Sequence, residues 1–134
     1  MRLILTRHGE TEDNITSTIQ GQSHGKLTKL GIQQAVKLAD RLKEEKIDVI
    51  YSSDLARSAD TAKKIHLFHP KTPIVFTDAL RERNFGSHTG GNLKTFDWDN
   101  IPEDVESSEA MRKRAVLFFD KVFKKHHNST VLIV

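Results

Sequence analysis

The sequence predicts an α/β domain of three layers, in which a mostly parallel central sheet carries helices on both of its faces. Short continuous apolar runs recur along the 134-residue chain, and such runs are typical of strands buried on both faces. Segments with apolar residues at helical spacing separate these runs. Strands that alternate with helices favour a parallel sheet. A chain of this length favours one domain spanning residues 1–134.

The apolar runs predict four strands. We expect each of them to be buried within the sheet, because none shows the polar alternation of a strand with one wet face. The runs are Leu3–Leu5, Asp48–Tyr51, Ile74–Phe76 and Val131–Val134.

Three segments are predicted to be amphipathic helices. Their inward-facing residues are Ile32, Ala35, Val36, Ala39 and Leu42 in the first, Leu55, Ala59, Ala62 and Ile65 in the second, and Met111, Ala115, Phe118 and Val122 in the third. Side-chain caps are expected at Thr28 for the first helix, at Ser53 or Asp54 for the second, and at Ser107 or Ser108 for the third.

Residues 84–107 show no clear period and contain Gly86, Gly90, Gly91 and Pro102. We predict a short irregular excursion with little regular structure. Within it, Phe96 and Trp98 are expected to pack the excursion onto the core rather than to recognise a ring.

Composition argues against several classes of protein. The absence of cysteine excludes disulfides, a thiolate nucleophile and a thiolate metal site. No apolar run approaches the roughly 20 residues that span a bilayer, so no membrane partner is expected. The formal charge is +3, but basic residues alternate with acidic ones, so a small anionic substrate is favoured over nucleic acid. A short apolar start that meets polar Thr6 is not typical of a signal peptide, so a cytoplasmic protein is the simplest interpretation.

Polar and charged residues follow three of the predicted strands. They are Arg7, His8, Gly9, Glu10, Thr11 and Asn14 after the first, Ser52, Ser53, Asp54 and Arg57 after the second, and Arg81, Glu82 and Arg83 after the third. Ligands of parallel α/β sheets bind beyond the carboxyl ends of the strands, so these residues predict the site.

Several of these residue types suit an anion. The guanidinium groups of Arg7 and Arg57 can each present a planar fork of donors to phosphate oxygens. Asn14 adds a neutral donor, and Gly9 has no side chain to keep the backbone away from an anion.

Two others suit group transfer. The imidazole of His8 is a nucleophile when neutral, and Glu82 can protonate a departing alkoxide and later accept a proton from water. Ser52 and Ser53 lack a histidine to act as their base, and His66 with His69 lacks a third metal ligand.

Taken in order, these motifs resemble those of the histidine phosphatase superfamily, whose best-known branch is the cofactor-dependent phosphoglycerate mutases. The resemblance covers nearly the whole chain. It lies in Thr6–Thr11 with Asn14, Gly21 with Leu27–Gly31, Tyr51–Arg57, Leu80–Glu82 with Phe85 and Gly86, and the weaker Glu106–Ser107.

The resemblance implies a role for each matching residue. His8 would be phosphorylated, Glu82 would be the proton donor, and Arg7, Arg57 and Asn14 would hold the phosphoryl group of a small phosphorylated metabolite. No metal or other cofactor is implied, because arginines supply the positive charge that a metal would otherwise provide. The substrate rim would be lined by Gln20, Gly21, Arg83, Asn84 and Phe85.

The chain departs from the family's pattern at Val134, before the serine-histidine-glycine segment that carries a second catalytic histidine. We therefore expect that a final helix and strand of the family are missing and that turnover is poor. His126 and His127 precede the last strand, so they are not expected to substitute. We also expect self-association through an uncovered face or edge of the strand ending at Val134.

A phosphomonoester hydrolase is favoured over a mutase, because the mutases carry a longer insertion with two adjacent arginines and a lysine. No adjacent arginine pair occurs here, and Lys94 falls one residue away from the lysine position. Phosphoglycerate mutase-type transfer stays an alternative, and so does a phosphate-binding module with little turnover.

Overall fold

The computed structural model describes residues 1–134 and contains one sheet of four parallel strands. The strands lie in the order β1-β4-β2-β3. Their bounds are β1 Arg2–Leu5, β2 Val49–Ser53, β3 Ile74–Thr77 and β4 Thr130–Ile133. The helices are α1 Glu12–Thr16, α2 Lys29–Leu42, α3 Ala56–His66 and α4 Ser108–Lys125, with 3₁₀ turns at Asp78–Leu80 and Gly86–His88.

Two apolar clusters cover the two faces of this sheet. On one face, α2 and α3 pack against the sheet through Ala39, Leu42, Ala62 and Ile65, which meet Ile50 and Leu132. On the other face, α4 packs through Phe118 and Val122, which meet Val49, Tyr51, Val131 and Ile133. Successive residues of a strand point to opposite faces, so β2 and β4 contribute to both clusters. The predicted three-layer α/β architecture is confirmed.

The prediction that every strand is buried was wrong for β1 and β3. Leu5 is 62% exposed and Phe76 is 42% exposed. Both strands lie at edges of the sheet and have one neighbour each, so part of their surface meets no other strand. The strand leading to Val134 was expected to have an uncovered face or edge, but β4 lies between β1 and β2 and residues 131–134 are buried.

The predicted caps were confirmed for two helices. The hydroxyl of Thr28 accepts a hydrogen bond from Gly31 N (2.9 Å), and that of Ser107 accepts one from Ala110 N (3.1 Å). The cap predicted for α3 was wrong, because Leu55 occupies the N-cap position without a side-chain hydrogen bond. The Asp54 carboxylate is instead paired with Arg81.

Fewer residues of α2 are buried than the apolar pattern of the sequence predicted. Ala35, Ala39 and Leu42 are buried, whereas Ile32 and Val36 are 42% and 47% exposed. Small residues at the buried positions bring α2 close to its neighbours, so the larger side chains stay outside the contact.

Regular structure between residues 84 and 107 is limited to the single 3₁₀ turn at Gly86–His88. Phe85 and Val105 are buried together with Ile19, and Phe96 packs against them, so a small apolar cluster of its own holds the excursion. None of the helices has the length and apolar character that a membrane span requires.

Candidate active site

A cavity of about 170 Å³ lies where the segments following β1, β2 and β3 meet. The four residues predicted to be catalytic, Arg7, His8, Arg57 and Glu82, all line it. The same four residues also line an adjoining cavity of about 400 Å³, which extends toward the excursion. The structure therefore brings together side chains that lie as many as 75 positions apart in the sequence, from 7 to 82.

The segment after β1 is held against α2 by two glycines. A Cβ atom at Gly9 would lie 2.2 Å from the carbonyl oxygen of Gly31, and one at Gly31 would lie 2.0 Å from that of Glu10. Gly9 N also donates to the hydroxyl of Thr61 on α3 (3.2 Å). The absence of a side chain at Gly9 thus permits close backbone packing beside His8, rather than the approach of an anion that we predicted.

The tautomer of His8 is fixed by its own neighbour. Its Nδ1 lies 2.7 Å from the carbonyl oxygen of Gly9, and because a carbonyl oxygen only accepts hydrogen bonds, Nδ1 carries the proton. The neutral ring therefore keeps its lone pair on Nε2. Burial lowers the pKa of His8, and the charges of Arg57 and Arg7 lower it further, against the opposing effects of the Gly9 carbonyl and Glu82.

Arg57 is the buried cation of the site, with 2% of its surface exposed. Its Nη1 donates to Ser23 O (2.6 Å) and its Nη2 to Gly21 O (2.9 Å). Part of the guanidinium fork that was predicted to bind phosphate therefore fixes the loop before α2. Its Nε is buried and has no hydrogen-bond partner. Burial lowers the pKa of Arg57 from its usual value, and Glu82 and Asp13 oppose that change.

Glu82 is exposed at the mouth of the site. One carboxylate oxygen accepts a hydrogen bond from Arg83 N (2.8 Å), and its own carbonyl accepts one from Gln22 Nε2 (3.2 Å). The second carboxylate oxygen has no protein donor and is free to exchange a proton with a ligand.

The segment that carries Glu82 is anchored by Arg114, which the sequence analysis did not assign to the site. Arg114 Nη1 donates to the carbonyls of Ala79 (2.9 Å) and Arg81 (2.8 Å), while Nε and Nη2 contact the carboxylate of Glu106 (3.0 and 2.9 Å). The sequence pattern could have identified Arg114, because this residue lies at helical spacing from Met111 and Phe118 on the predicted inward face of the helix.

A second ion pair joins the ends of β2 and β3. Arg81 donates from Nε to one carboxylate oxygen of Asp54 (2.7 Å) and from Nη2 to the other (2.5 Å). The hydrogen bonds to Arg81 hold the pKa of Asp54 below its usual range. The pair fixes the turn after β3 relative to the strand that precedes Arg57.

Three of the five predicted rim residues line the larger cavity, namely Gln20, Gly21 and Phe85, and so does Asn14, which was predicted to hold the phosphoryl group. Asn14 Oδ1 accepts a hydrogen bond from Thr11 N (3.0 Å), which leaves the amide Nδ2 of Asn14 as a donor without a protein acceptor. Gln20 Oε1 accepts one from the hydroxyl of Thr11 (2.9 Å).

The other two predicted rim residues lie elsewhere. Arg83 Nε donates to Glu106 O (2.6 Å), and Asn84 Oδ1 accepts from Gly86 N (2.9 Å). Neither side chain lines either cavity. Both are used to fix the start of the excursion.

The structure adds apolar lining residues that the sequence did not predict, which are Ile19, Leu93 and Trp98. Phe96 packs inward as predicted. Trp98 packs against Phe96 and the buried Phe85, with ring centroids 4.8 and 6.1 Å apart, and 52% of its surface stays exposed beside the cavity.

Three other histidines and Ser53 make hydrogen bonds that hold the fold. His66 and His69 bond the carbonyls of Thr72 and Leu42, and His126 bonds the hydroxyl of Tyr51. Ser53 Oγ accepts a hydrogen bond from Leu55 N. No group of three or more His, Asp or Glu side chains is arranged to hold a metal ion.

Comparison with known proteins agrees with this geometry. Residues 3–134 match the family described as the histidine phosphatase superfamily, branch 1. The chain is 35% identical to a metal-independent phosphoserine phosphatase of Arabidopsis thaliana over 98% of this chain and 62% of that protein. It is 32% identical to phosphoglycerate mutase-like protein 4 of the same plant, over 98% of this chain and 64% of that protein.

The solved structure of YhfR from Bacillus stearothermophilus has the same fold. It superposes with a TM-score of 0.90 at 30% identity, covering 98% of this chain and 72% of that one. The chain spans less than two thirds of the length of the two plant relatives. A family match over residues 3–134, together with a site that contains the motif residues, shows that this chain belongs to the histidine phosphatase superfamily.

Proposed function

We propose that the site hydrolyses phosphate monoesters through a phosphohistidine at His8. One observation carries the proposal: Nδ1 of His8 is bonded to the Gly9 carbonyl, so the free Nε2 belongs to a ring that shares one cavity with two guanidinium groups and a carboxyl group. A neutral imidazole beside fixed positive charge is a nucleophile suited to phosphorus.

The proposed reaction has two steps. In the first, Nε2 of His8 attacks phosphorus, the bond from phosphorus to the ester oxygen breaks, and Glu82 donates its proton to the departing alcohol. In the second, water attacks the phosphohistidine, Glu82 accepts a proton from that water, and phosphate leaves with His8 regenerated. Arg7, Arg57 Nε and the Asn14 amide donate to the phosphoryl oxygens in both steps.

The relatives include proteins named for both activities, and the charge of the site favours hydrolysis over mutase-type transfer. One relative is named a metal-independent phosphoserine phosphatase. Arg7 and Arg57 are the only lysine or arginine residues that line the two cavities, so a second phosphate would find no cation of its own. Lys94 does not line them either, and a mutase must hold two phosphates.

Trapping the covalent intermediate tests this proposal. We expect the chain to take label from radioactive acetyl phosphate on His8, with the acid-labile and base-stable behaviour of phosphohistidine. The label should be lost in His8→Asn and kept in His127→Asn, whose side chain is exposed and lies outside the site. Label that persists in His8→Asn, or that is base-labile as on serine, would refute the mechanism. Transfer of the label to 2- or 3-phosphoglycerate instead of water would indicate a mutase.

A further inference from the structure

We infer that the alcohol of the preferred substrate carries an uncharged aromatic group and that Trp98 determines this specificity. The inference rests on the proposed phosphomonoesterase function and adds the substrate class. Its starting point is the composition of the larger cavity, in which the reacting residues and a group of apolar side chains line the same space of about 400 Å³. Cavities of a few hundred Å³ accommodate small organic ligands.

The apolar part of this lining is open rather than filled. Trp98 is 52% exposed and Leu93 is 43% exposed, whereas Phe85 and Ile19 beneath them are buried. An apolar group that covers Trp98 and Leu93 would remove that apolar surface from water, which favours binding. Because His8 lines the same cavity, a group linked to its phosphoryl ester can reach them.

The indole of Trp98 is positioned before any ligand binds. Its ring centroid lies 4.8 Å from that of Phe96 and 6.1 Å from that of Phe85, with both pairs in edge-to-face geometry. Phe85 is itself buried, so Trp98 is held by a fixed partner. A preorganised aromatic side chain loses little conformational entropy on binding, and edge or stacking contacts with a second aromatic ring add to the effect of the buried area.

The charges of the cavity disfavour a second anionic group. Arg7 and Arg57 are its only cationic lining residues, and both lie beside His8, where the phosphoryl group would occupy them. Arg83 does not line the cavity: its Nε is bonded to Glu106 O (2.6 Å), and its guanidinium group lies over the ring of Phe85, 5.7 Å from the centroid. A carboxylate on the alcohol would therefore lose water without gaining a cationic partner among the lining residues.

Turnover of three matched alkyl monoesters tests the inference on the 134-residue chain: 2-phenylethyl phosphate, ethyl phosphate and phosphoserine. All three esters have an alcohol as leaving group, so their intrinsic rates of P–O cleavage should differ less than their affinities for the cavity. We expect kcat/KM for 2-phenylethyl phosphate to exceed both others by about tenfold, the effect of burying one ring. Trp98→Ala should lower the ratio of 2-phenylethyl to ethyl phosphate by about the same factor. Phe68→Ala, which removes an aromatic ring 48% exposed and outside the cavity, should keep the ratio.

Binding of phosphonates separates this inference from the proposed function. Trp98 is the single tryptophan of the chain, so its fluorescence reports on the cavity directly. We expect 2-phenylethylphosphonate to change that fluorescence and to bind about tenfold more tightly than ethylphosphonate, with calorimetry giving the loss of this preference in Trp98→Ala.

Each outcome decides one of the two ideas. Aromatic preference in phosphonate binding without hydrolysis of any monoester would refute the hydrolase and support the role of Trp98. Hydrolysis with equal ratios in the wild type and Trp98→Ala, a preference for phosphoserine, or the absence of any phosphonate binding would overturn the inference.

Discussion

In the proposed mechanism, the proton on Nδ1 of His8 leaves Nε2 as the ring nitrogen that attacks phosphorus, and the charges around the ring affect how often the imidazole is neutral. Arg7 and Arg57 disfavour the protonated ring, and Glu82 favours it. These opposite effects act on the same imidazole from different sides of one cavity. Nucleophile activation is therefore a property of the site as a whole and can be measured without turnover.

We predict that the imidazole of His8 titrates below the ordinary value of about 6.5, and that two substitutions move its pKa in opposite directions. Arg7→Gln removes a positive charge and raises the pKa of His8, while Glu82→Gln removes a negative charge and lowers it. The measurement is a pH titration of the His8 Cε1–Hε1 resonance. Since protonated imidazole cannot attack, the acidic limb of phosphoryl uptake should move to higher pH in Arg7→Gln.

Lys124→Gln is the matched control for this titration, because it removes one positive charge at the last turn of α4, away from the cavity. It should leave the His8 midpoint unchanged. Shifts of the same sign in Arg7→Gln and Glu82→Gln would contradict the electrostatic account.

A second prediction at this scale is that EDTA leaves phosphoryl uptake unchanged, because Arg7 and Arg57 supply the positive charge that a metal supplies in other phosphatases. Loss of one such preorganised donor in Arg7→Gln should lower the rate by about 10²- to 10³-fold. The measurement is the single-turnover labelling rate with and without EDTA. Activity that disappears and returns with magnesium or zinc would disprove metal independence.

The meeting of Arg7, His8, Arg57 and Glu82 at one cavity could be predicted from the sequence, because motif order and strand ends together determine where these side chains lie. The residues that hold or shape the site could not. Arg83 and Asn84 follow the motif directly, yet hydrogen bonds with Glu106 and within the 3₁₀ turn draw them away. Trp98 lies in a segment without periodicity, and only the tertiary packing of Phe85 and Phe96 decides what it faces.

At the scale of secondary structure, α4 helps to position Glu82, the proposed general acid, although no residue of α4 lines the cavity. Arg114 connects the helix to two carbonyls of the turn after β3 and to Glu106 at the end of the excursion. The guanidinium group of Arg114 on α4 therefore bonds both the turn after β3 and the end of the excursion. Glu82 lies between the two anchored segments, so its placement depends on this contact.

We predict that Arg114→Met impairs proton donation more than nucleophilic attack. The methionine keeps much of the side-chain volume but leaves two carbonyls and Glu106 without their donor, at a cost of about 1–3 kcal/mol in the free energy of unfolding. A misplaced Glu82 should slow ethyl phosphate about tenfold more than 4-nitrophenyl phosphate, whose leaving group needs no proton. The measurements are kcat for both esters and urea unfolding.

Arg112→Met is the control, because Arg112 is exposed on the same helix and makes no hydrogen bond or salt bridge. It should change neither the ratio of the two esters nor the stability. An equal loss for both esters in Arg114→Met would mean that Arg114 stabilises the fold without positioning Glu82.

For the whole molecule, the layers could be predicted from the sequence and the order of the strands could not. Helical and apolar periodicities indicated the four strands and the three longer helices, but not the short helix α1. They did not indicate that β4, the last strand in the chain, inserts between β1 and β2. Strand order depends on long-range pairing, so Leu3–Leu5 has the apolar composition of a central strand and yet forms an edge.

This strand order moves the expected site of self-association from the strand at Val134 to β1. Arg2 N donates to Ser129 O, just before β4, and Thr6 N donates to Ile133 O of β4. Alternate residues of a strand point their backbone groups to the same side, so the backbone of Leu3 and Leu5 faces the free edge. With Leu5 62% exposed, this edge can pair with a second copy.

We expect the 134-residue chain to form dimers at micromolar concentration in sedimentation velocity experiments, and Leu5→Lys to shift it to monomer. Leu67→Lys, which changes a leucine 71% exposed beyond the end of α3, should leave the dimer intact. A monomeric wild-type chain, or equal dissociation by both variants, would show that the β1 edge does not self-associate.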